Sequence, residues 1–287
     1  MIKSYYHPDL HLHSFYSDGT DSPKQLITKA KAAGVDLFSL TDHDTVRGCE
    51  EIVLSLKKDD PAFLRGVEFS CEDREGKYHI LGYGFDRAKP AVEGLAEHCH
   101  QLRIEKAQKR FAFLRERFGF CFSDKEEQTV LLENNPGKPH FVELMMQKGL
   151  ISEKKAGFEL FQDCPEDEFF LSPELAIEAI RCSEGVAVLA HGIFSDGSIP
   201  LSEEQLRKRV ERLQNVGLQG LECFYPTYSE QQRKIMLSAA ADYQMFITAG
   251  SDYHGKNKNV CIGESIGAEQ ELLSPFYSAV AHQIIEY

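Results

Sequence analysis

Strand-length apolar runs alternate with amphipathic helical stretches over most of this chain, and the alternation is interrupted once. "SPKQLITKAKAAG" (22–34) opens with Ser22 as a predicted N-cap and Pro23 at the first helical position. Leu26, Ile27, Ala30 and Ala33 make its apolar stripe, and Gly34 ends it. "VDLFSLT" (35–41) then reads as a buried strand, followed by a short helix from Thr45. "AFLRGVEFSCE" (62–72) and "KYHILGYGF" (77–85) read as two strands joined by a polar turn from Glu72 to Gly76. The pattern resumes at "SPELAIEAIRCSEG" (172–185), with a second Ser-Pro cap. It continues through "GVAVLAHG", "SEEQLRKRVERLQNVG", "LQGLECF", "SEQQRKIMLSAAADY" and "MFITAGSDYH". Such an order predicts an α/β architecture of barrel-like type.

The interruption runs from Val92 to Phe170. "GLAEHCHQLRIEKAQKRFAFLRERFGF" reads as one long helix, and "KPHFVELMMQKGL" and "SEKKAGFELFQD" as two shorter ones. The expected organisation is therefore a barrel domain from 1–91 and 171–287, with 92–170 as a helical insertion.

At 287 residues the chain has room for one such domain and its insertion. A formal net charge of −13 argues against a basic groove for duplex DNA. It leaves open a small phosphorylated substrate, because bound cations reverse the local sign. The 8 Cys contain no C-x-x-C pair, so neither a zinc ribbon nor a redox motif is expected. "MIKSYYHPD" is not followed by an apolar run, and no stretch of about 18 apolar residues follows. No signal peptide and no membrane partner are expected, and the setting is read as cytoplasmic, with reduced thiols.

Chemistry-bearing residues fall at strand ends. His11 and His13 are read as following the first short strand, and Asp18 lies in the turn "SDG". Asp42, His43 and Asp44 ("TDHD") end the second strand. Glu68 lies in the third, His79 in the fourth, and His191 ends "VAVLAHG"; Asp252 and His254 end the last strand. Groups at strand ends of an α/β barrel converge on one mouth. Singly, each has an ordinary structural explanation: a strand-side His is usually a hydrogen-bonded core residue, and Asp18 suits a turn. The H-x-H spacing turns both rings to one face, which favours ligation. Six His and three carboxylates gathered without a cation would cost several kcal/mol. Mixed imidazole and carboxylate donors suit Mn, Fe or Zn, and nine donors exceed one ion's needs. The reading is two or three divalent ions with a bridging carboxylate such as Glu68, clamping an oxyanion and activating water.

Taken in order, "DLHLHS", "SDGT", "TDHD", "GVEFS", "HILGY", "AHG" and "GSDYH" resemble the PHP (polymerase and histidinol phosphatase) family of metal-dependent phosphoesterases. The insertion, with "KPHFVELMMQKGL", resembles the stand-alone subfamily acting on nucleotides. The resemblance implies a distorted (β/α)7 barrel and a trinuclear site, with manganese first among the candidate metals. By motif, His11, His13, Glu68 and Asp252 would hold one ion; Glu68, His79 and His191 a second; Asp18, His43 and His254 a third. The implied reaction is attack of a metal-bound hydroxide on a phosphomonoester, the 3′-phosphate of nucleoside 3′,5′-bisphosphates foremost. His191, His254 and Asp252 are the catalytic candidates, the donor to the leaving oxygen being left open between His191, His254 and a bound water. The alternatives are 5′–3′ exonuclease action on short RNA, histidinol-phosphate hydrolysis, and a non-catalytic metal or nucleotide sensor.

Two positions depart from the family pattern. Gly192 follows His191 where Pro is usual, giving the loop more freedom. Lys138 stands where the insertion usually carries Arg, and pairs with phosphate as a point charge without a bidentate fork. Lys138 and His140, with Arg103 and Lys106 on the long helix, are the substrate-binding candidates. Lys109 and Arg110 join that helix's cationic face, whose simpler reading is a solvated surface. "HCH" (98–100) splays in a helix and is read as incidental. Asp42 and Asp44 are read as orienters of the imidazoles. Glu222 is read as facing the site, and Tyr225-Pro226 as loop packing or a base-stacking platform.

Overall fold

Seven strands form one sheet in the unit made of Met1–Ala96 and Leu171–Tyr287; the second unit is Glu97–Phe170. The computed structural model describes residues 5–165, 170–195, 199–264 and 270–287. In chain order the strands are β1 (Pro8–Leu12), β2 (Leu37–Leu40), β3 (Ala62–Asp73), β4 (Gly76–Tyr83), β5 (Val186–Leu189), β6 (Phe194–Ser195), β7 (Ile199–Pro200), β8 (Gly220–Phe224) and β9 (Phe246–Ala249). The sheet runs β1, β2, β3, β4, β5, β8, β9, while β6 and β7 pair only with each other. Every residue of β1, β2, β5 and β8 is buried. Burial on both faces makes β5 a continuous apolar run, while β1 and β8 carry the buried polar groups Asp9, His11 and Glu222.

Pairing continues past β9 back to β1. Leu12 bridges Tyr253 in parallel. His13 N donates to Tyr253 O at 2.9 Å, and Asp252 N donates to His11 O at 2.8 Å. The ring is distorted by β4, which is antiparallel to both β3 and β5, whereas the other named neighbours are parallel. The cause is the expected polar turn: β3 and β4 form a hairpin with no crossover helix between them.

The helices of this unit include α1 (Pro23–Ala32) and α2 (Arg47–Ser55). Ser22 Oγ accepts from Gln25 N, and Gln25 Oε1 accepts from Ser22 N at 2.8 Å, a reciprocal cap that starts α1. Pro23, Leu26, Ile27 and Ala30 are its buried face; Ala33, expected on that stripe, is the exposed C-cap. α2 begins at Arg47, two residues after Thr45. Leu26, Ile27, Phe38, Leu40, Ile52 and Phe63 pack into one cluster, each burial being worth ~1.5–3 kcal/mol.

Most of α3 (Ala91–Phe118), with α4 (Asp124–Leu131), α5 (Lys138–Gln147) and α6 (Lys154–Glu159), makes up the second unit. Its core joins Phe111, Leu114, Val130, Phe141, Met145 and Phe161. Arg110 is not part of a solvated face: it is 6% exposed, its guanidinium 5.9 Å from the ring centres of both Phe141 and Phe161. α4 escaped the sequence reading although Ser123 and Glu126 carry its capping box. The first unit is completed by α7 (Pro173–Cys182), α8 (Glu203–Asn215), α9 (Glu230–Asp242) and α10 (Gln270–Val280), the last also unanticipated.

Candidate metal centre

His13 follows β1 directly, as expected, whereas His11 lies inside the strand rather than after it; the two-residue repeat turns both rings the same way. Their Nε2 atoms stand 3.2 and 3.1 Å from Glu68 Oε2, and 3.5 and 3.3 Å from Asp252 Oδ1. His43, just past β2, bridges to Glu68 through its backbone and brings Nδ1 to 3.2 Å from Oε2. Glu68 Oε1 is 2.9 Å from His79 Nδ1 and 3.2 Å from His191 Nε2. His79 reaches the cluster because β4 runs backwards: it pairs with Ser70 near the start of β4, at the end where the parallel strands finish. Asp18 sits at the rim with its side chain 49% exposed. Its Oδ1 is 3.2 Å from His254 Nε2 and 3.6 Å from His13 Nδ1, and its Oδ2 is 3.8 Å from His43 Nε2. All nine residues singled out at strand ends thus stand beside one another.

Among the described residues, three overlapping groups emerge: His11, His13, Glu68 and Asp252; His43, Glu68 and His79; and His13, Asp18, His43 and His254. Within each group, donor atoms lie within 4.8 Å of one another. Ligands about 2.1 Å from one ion lie roughly 3–4 Å apart, so donors gathered this closely need only small shifts to share a cation. His11 Nε2, His13 Nε2, His43 Nδ1 and Glu68 Oε2 are buried without a hydrogen-bond partner. Buried polar atoms are normally satisfied, so four orphans converging in one cluster fit shared cations.

Buried carboxylates and imidazoles here shift one another strongly. Burial disfavours charge on His13, but Asp252, Glu68 and Asp18 outweigh it and hold its pKa at about 9. His11 is raised against its burial by Glu222, Glu68 and Asp252. Burial favours the neutral acid for Glu68 and Asp252, yet neighbouring imidazoles keep both well below the carboxylate range. His43 falls to about 3, chiefly through burial. Three non-glycine residues at or beside the cluster, Asp44, His191 and Asp252, have positive φ, of 56°, 30° and 56°.

Asp42 accepts from Ser14 N, Ser14 Oγ and Ser17 Oγ, each at 2.7 Å, so it orders the loop after His13 rather than bonding an imidazole directly. Asp44 Oδ1 accepts from Ser70 N at 2.8 Å. Gly192 has a packing role: a Cβ there would lie 2.6 Å from Leu189 Cδ2. Tyr225 turns its hydroxyl to Asp252 Oδ2 at 2.8 Å, with its ring 5.5 Å from that of His191. Lys258 Nζ contacts the same Oδ2. Sequence reasoning missed Lys258, since a Lys in a loop carries no periodic signal. Arg103, Lys106, Lys138 and His140 all belong to the second unit. Lys138 opens α5, and His140 Nδ1 accepts from Gly137 N at 3.1 Å. On α3, His98 is exposed and Cys99 buried, as splayed helical neighbours should be.

A closed, mostly parallel α/β sheet carries, at one end, clustered imidazoles and carboxylates able to hold metal ions. The chain belongs to the PHP family, whose domain pattern matches residues 9–219. With that family goes the class of reaction, hydrolysis of phosphoric esters. The match stops short of Asp252 and His254, which the fold itself carries to the cluster. A 5′-3′ exoribonuclease from Haemophilus influenzae is 27% identical over 88% of this chain and 91% of its own length. A 3′,5′-nucleoside bisphosphate phosphatase from Chromobacterium violaceum is 27% identical over 92% of each. A solved structure from Chromobacterium violaceum, described as an amidohydrolase with bound sulfate and no metal, is 25% identical, covers 98% of each chain and has a TM-score of 0.77. Among the described residues, no helix is long and apolar enough to cross a membrane.

Proposed function

We propose that this phosphoesterase removes the 3′-phosphate of nucleoside 3′,5′-bisphosphates, using two or three divalent ions held by the nine clustered side chains. The observation that carries the reading is Glu68. It is fully buried, with one oxygen turned to His11, His13 and His43 and the other to His79 and His191, which suits a carboxylate bridging two ions. His11, His13, Glu68 and Asp252 would hold the first ion; Glu68, His79 and His191 the second; Asp18, His43 and His254 the third. Such ions supply Lewis acidity to a phosphoryl oxygen and lower the pKa of water. The imidazole and carboxylate donors, without thiolate, suit manganese, iron and zinc alike; the family resemblance puts manganese first.

The chain's own residues supply the rest. Asp252 Oδ1 stands beside both His11 and His13, and His191, His254 or a bound water hands a proton to the leaving oxygen. Lys138, His140, Arg103 and Lys106 of the insertion recognise the nucleotide and its second phosphate. A cytoplasmic enzyme with a small nucleotide as partner fits the acidic chain and its cysteines without metal spacing. The second reading, 5′–3′ exonuclease action on short RNA, is favoured by the Haemophilus relative, which matches nearly as much of this chain.

The test is a substrate panel with added Mn²⁺: 3′,5′-bisphosphates, 5′-phosphorylated oligoribonucleotides and histidinol phosphate. Inorganic phosphate should come fastest from the bisphosphates. Stepwise shortening of the oligonucleotide at a higher kcat/KM would shift the assignment to the exonuclease. Folded, ion-loaded protein inert on every member would overturn both.

A further inference from the structure

Glu222 is fully buried on β8, and its two carboxylate oxygens serve two different parts of the cluster. Oε1 accepts a hydrogen bond from His11 Nδ1 at 2.8 Å. Oε2 accepts one from the backbone N–H of His191, also at 2.8 Å. His11 belongs to the group with His13 and Asp252, whereas His191 stands beside His79 on the other oxygen of Glu68.

Both contacts carry geometric information. With Nδ1–H held by Glu222, the other ring nitrogen, Nε2, is the one turned toward Glu68 and Asp252, and it is the one an ion would take in place of a proton. His191 has a φ of 30°, a strained conformation for a non-glycine residue that persists only when its surroundings hold it. The Glu222 carboxylate is the partner of that residue's N–H. Gly250 completes the arrangement: a Cβ there would lie 2.2 Å from His11 Cβ and 2.9 Å from Glu222 Oε1. The end of β9 thus passes close against the pair only because Gly250 has no side chain.

We infer that Glu222 is a positioning residue that locks two neighbouring cation subsites into one geometry, by setting the His11 tautomer and holding the His191 turn. The inference rests on the metal-centre reading above. Its chemistry is specific: Glu222 must accept at both oxygens, and an isosteric amide cannot. In Glu222→Gln the side-chain oxygen would go to His191 N–H, because a backbone N–H can only donate. The amide NH₂ would then face His11 Nδ1 and force that atom to accept. The imidazole proton would move to Nε2, which could no longer coordinate.

The test compares wild type with Glu222→Gln by calorimetric titration with Mn²⁺ and by elemental mass spectrometry. The variant should lose about one ion equivalent, or bind it about 10–100-fold more weakly, while the ion-free protein keeps its thermal midpoint. Nitrogen-15 spectra of the zinc-loaded wild type should show His11 protonated at Nδ1, a readout that stands even if the variant fails to fold. Equal stoichiometry and affinity in the two proteins, or a wild-type His11 protonated at Nε2, would overturn the inference while leaving the metal centre intact. A wild type that binds no divalent ion would overturn the metal-centre reading together with it.

Discussion

Tyr225 donates its hydroxyl to Asp252 Oδ2 at 2.8 Å, while Oδ1 of the same carboxylate faces His11 and His13. The two oxygens have separate duties: one looks into the cluster, the other is held from outside by Tyr225 and Lys258. Tyr225→Phe removes a hydrogen bond to a charged acceptor, a loss of ~1.5–3 kcal/mol when buried. The expected result is weaker ion binding and a lower kcat with little change in KM, read by calorimetry and steady-state kinetics. Unchanged ion affinity would show that Asp252 needs no outside support.

Stripping the protein with a chelator should abolish phosphoester hydrolysis, and added Mn²⁺ should restore it. Asp252→Asn should stay folded, because Asn tolerates the left-handed φ of 56° at this position. It should lose activity by at least about two orders of magnitude, since a neutral amide is a poorer ligand for a divalent ion. Circular dichroism and a phosphate-release assay check both halves, and an active Asp252→Asn variant would remove this residue from the ligand set.

Lys138→Ala should raise KM for a nucleoside bisphosphate about tenfold or more while leaving an aryl phosphate almost unaffected, because only the former offers a second phosphate. Equal effects on the two substrates would remove Lys138 from recognition.

The hairpin that carries Glu68 and His79 is held at its tip by α8. Arg209 is 1% exposed; its Nη2 donates to Glu75 O at 3.1 Å, and its guanidinium lies 4.4 Å from the ring centre of Tyr78. Arg212 Nε donates to Glu75 Oε1 at 3.0 Å. Arg209→Ala should lower stability by ~2–3 kcal/mol, less than the loss of a fully enclosed pair because Glu75 is partly exposed. Activity should fall with it as Glu68 and His79 lose register. Denaturant unfolding measures the first effect, and an unfolding midpoint equal to wild type would contradict it.

Glu126 caps α4, and Lys148 Nζ beside it, with the Ser123 backbone and hydroxyl, holds its carboxyl down at about 2. A lowered folded-state pKa stabilises above the ordinary value of 4.5, and that stabilisation is lost as pH falls toward about 2. Glu126→Gln keeps the cap geometry without the charge. Its thermal midpoint should lie slightly below wild type at neutral pH and converge with it on acidification. A gap that stays constant with pH would mean the charge contributes nothing.

Much of the fold was legible before any coordinates. Ser22 and Ser172 announced their helices because a cap is a local contact between residues three apart. The buried strands announced themselves by unbroken apolar runs such as "VAVL". α4 carries the same kind of signal in Ser123 and Glu126, over only eight residues; α10 has Pro275 inside it, which masks a helical pattern. The short β6–β7 pair is too brief for any periodicity to register.

The sequence by itself determined which residues could carry chemistry: donors recurring at strand ends, and a two-residue spacing that puts His11 and His13 on one face. Those are local facts, set by backbone geometry over a few residues. Only the tertiary structure decided which oxygen of Glu68 meets which imidazole, that the reversed β4 delivers His79 to the same end as the parallel strands, and that Glu222 joins His11 to His191. These contacts link positions tens to hundreds of residues apart. They depend on sheet order and strand direction, and no short-range pattern encodes either.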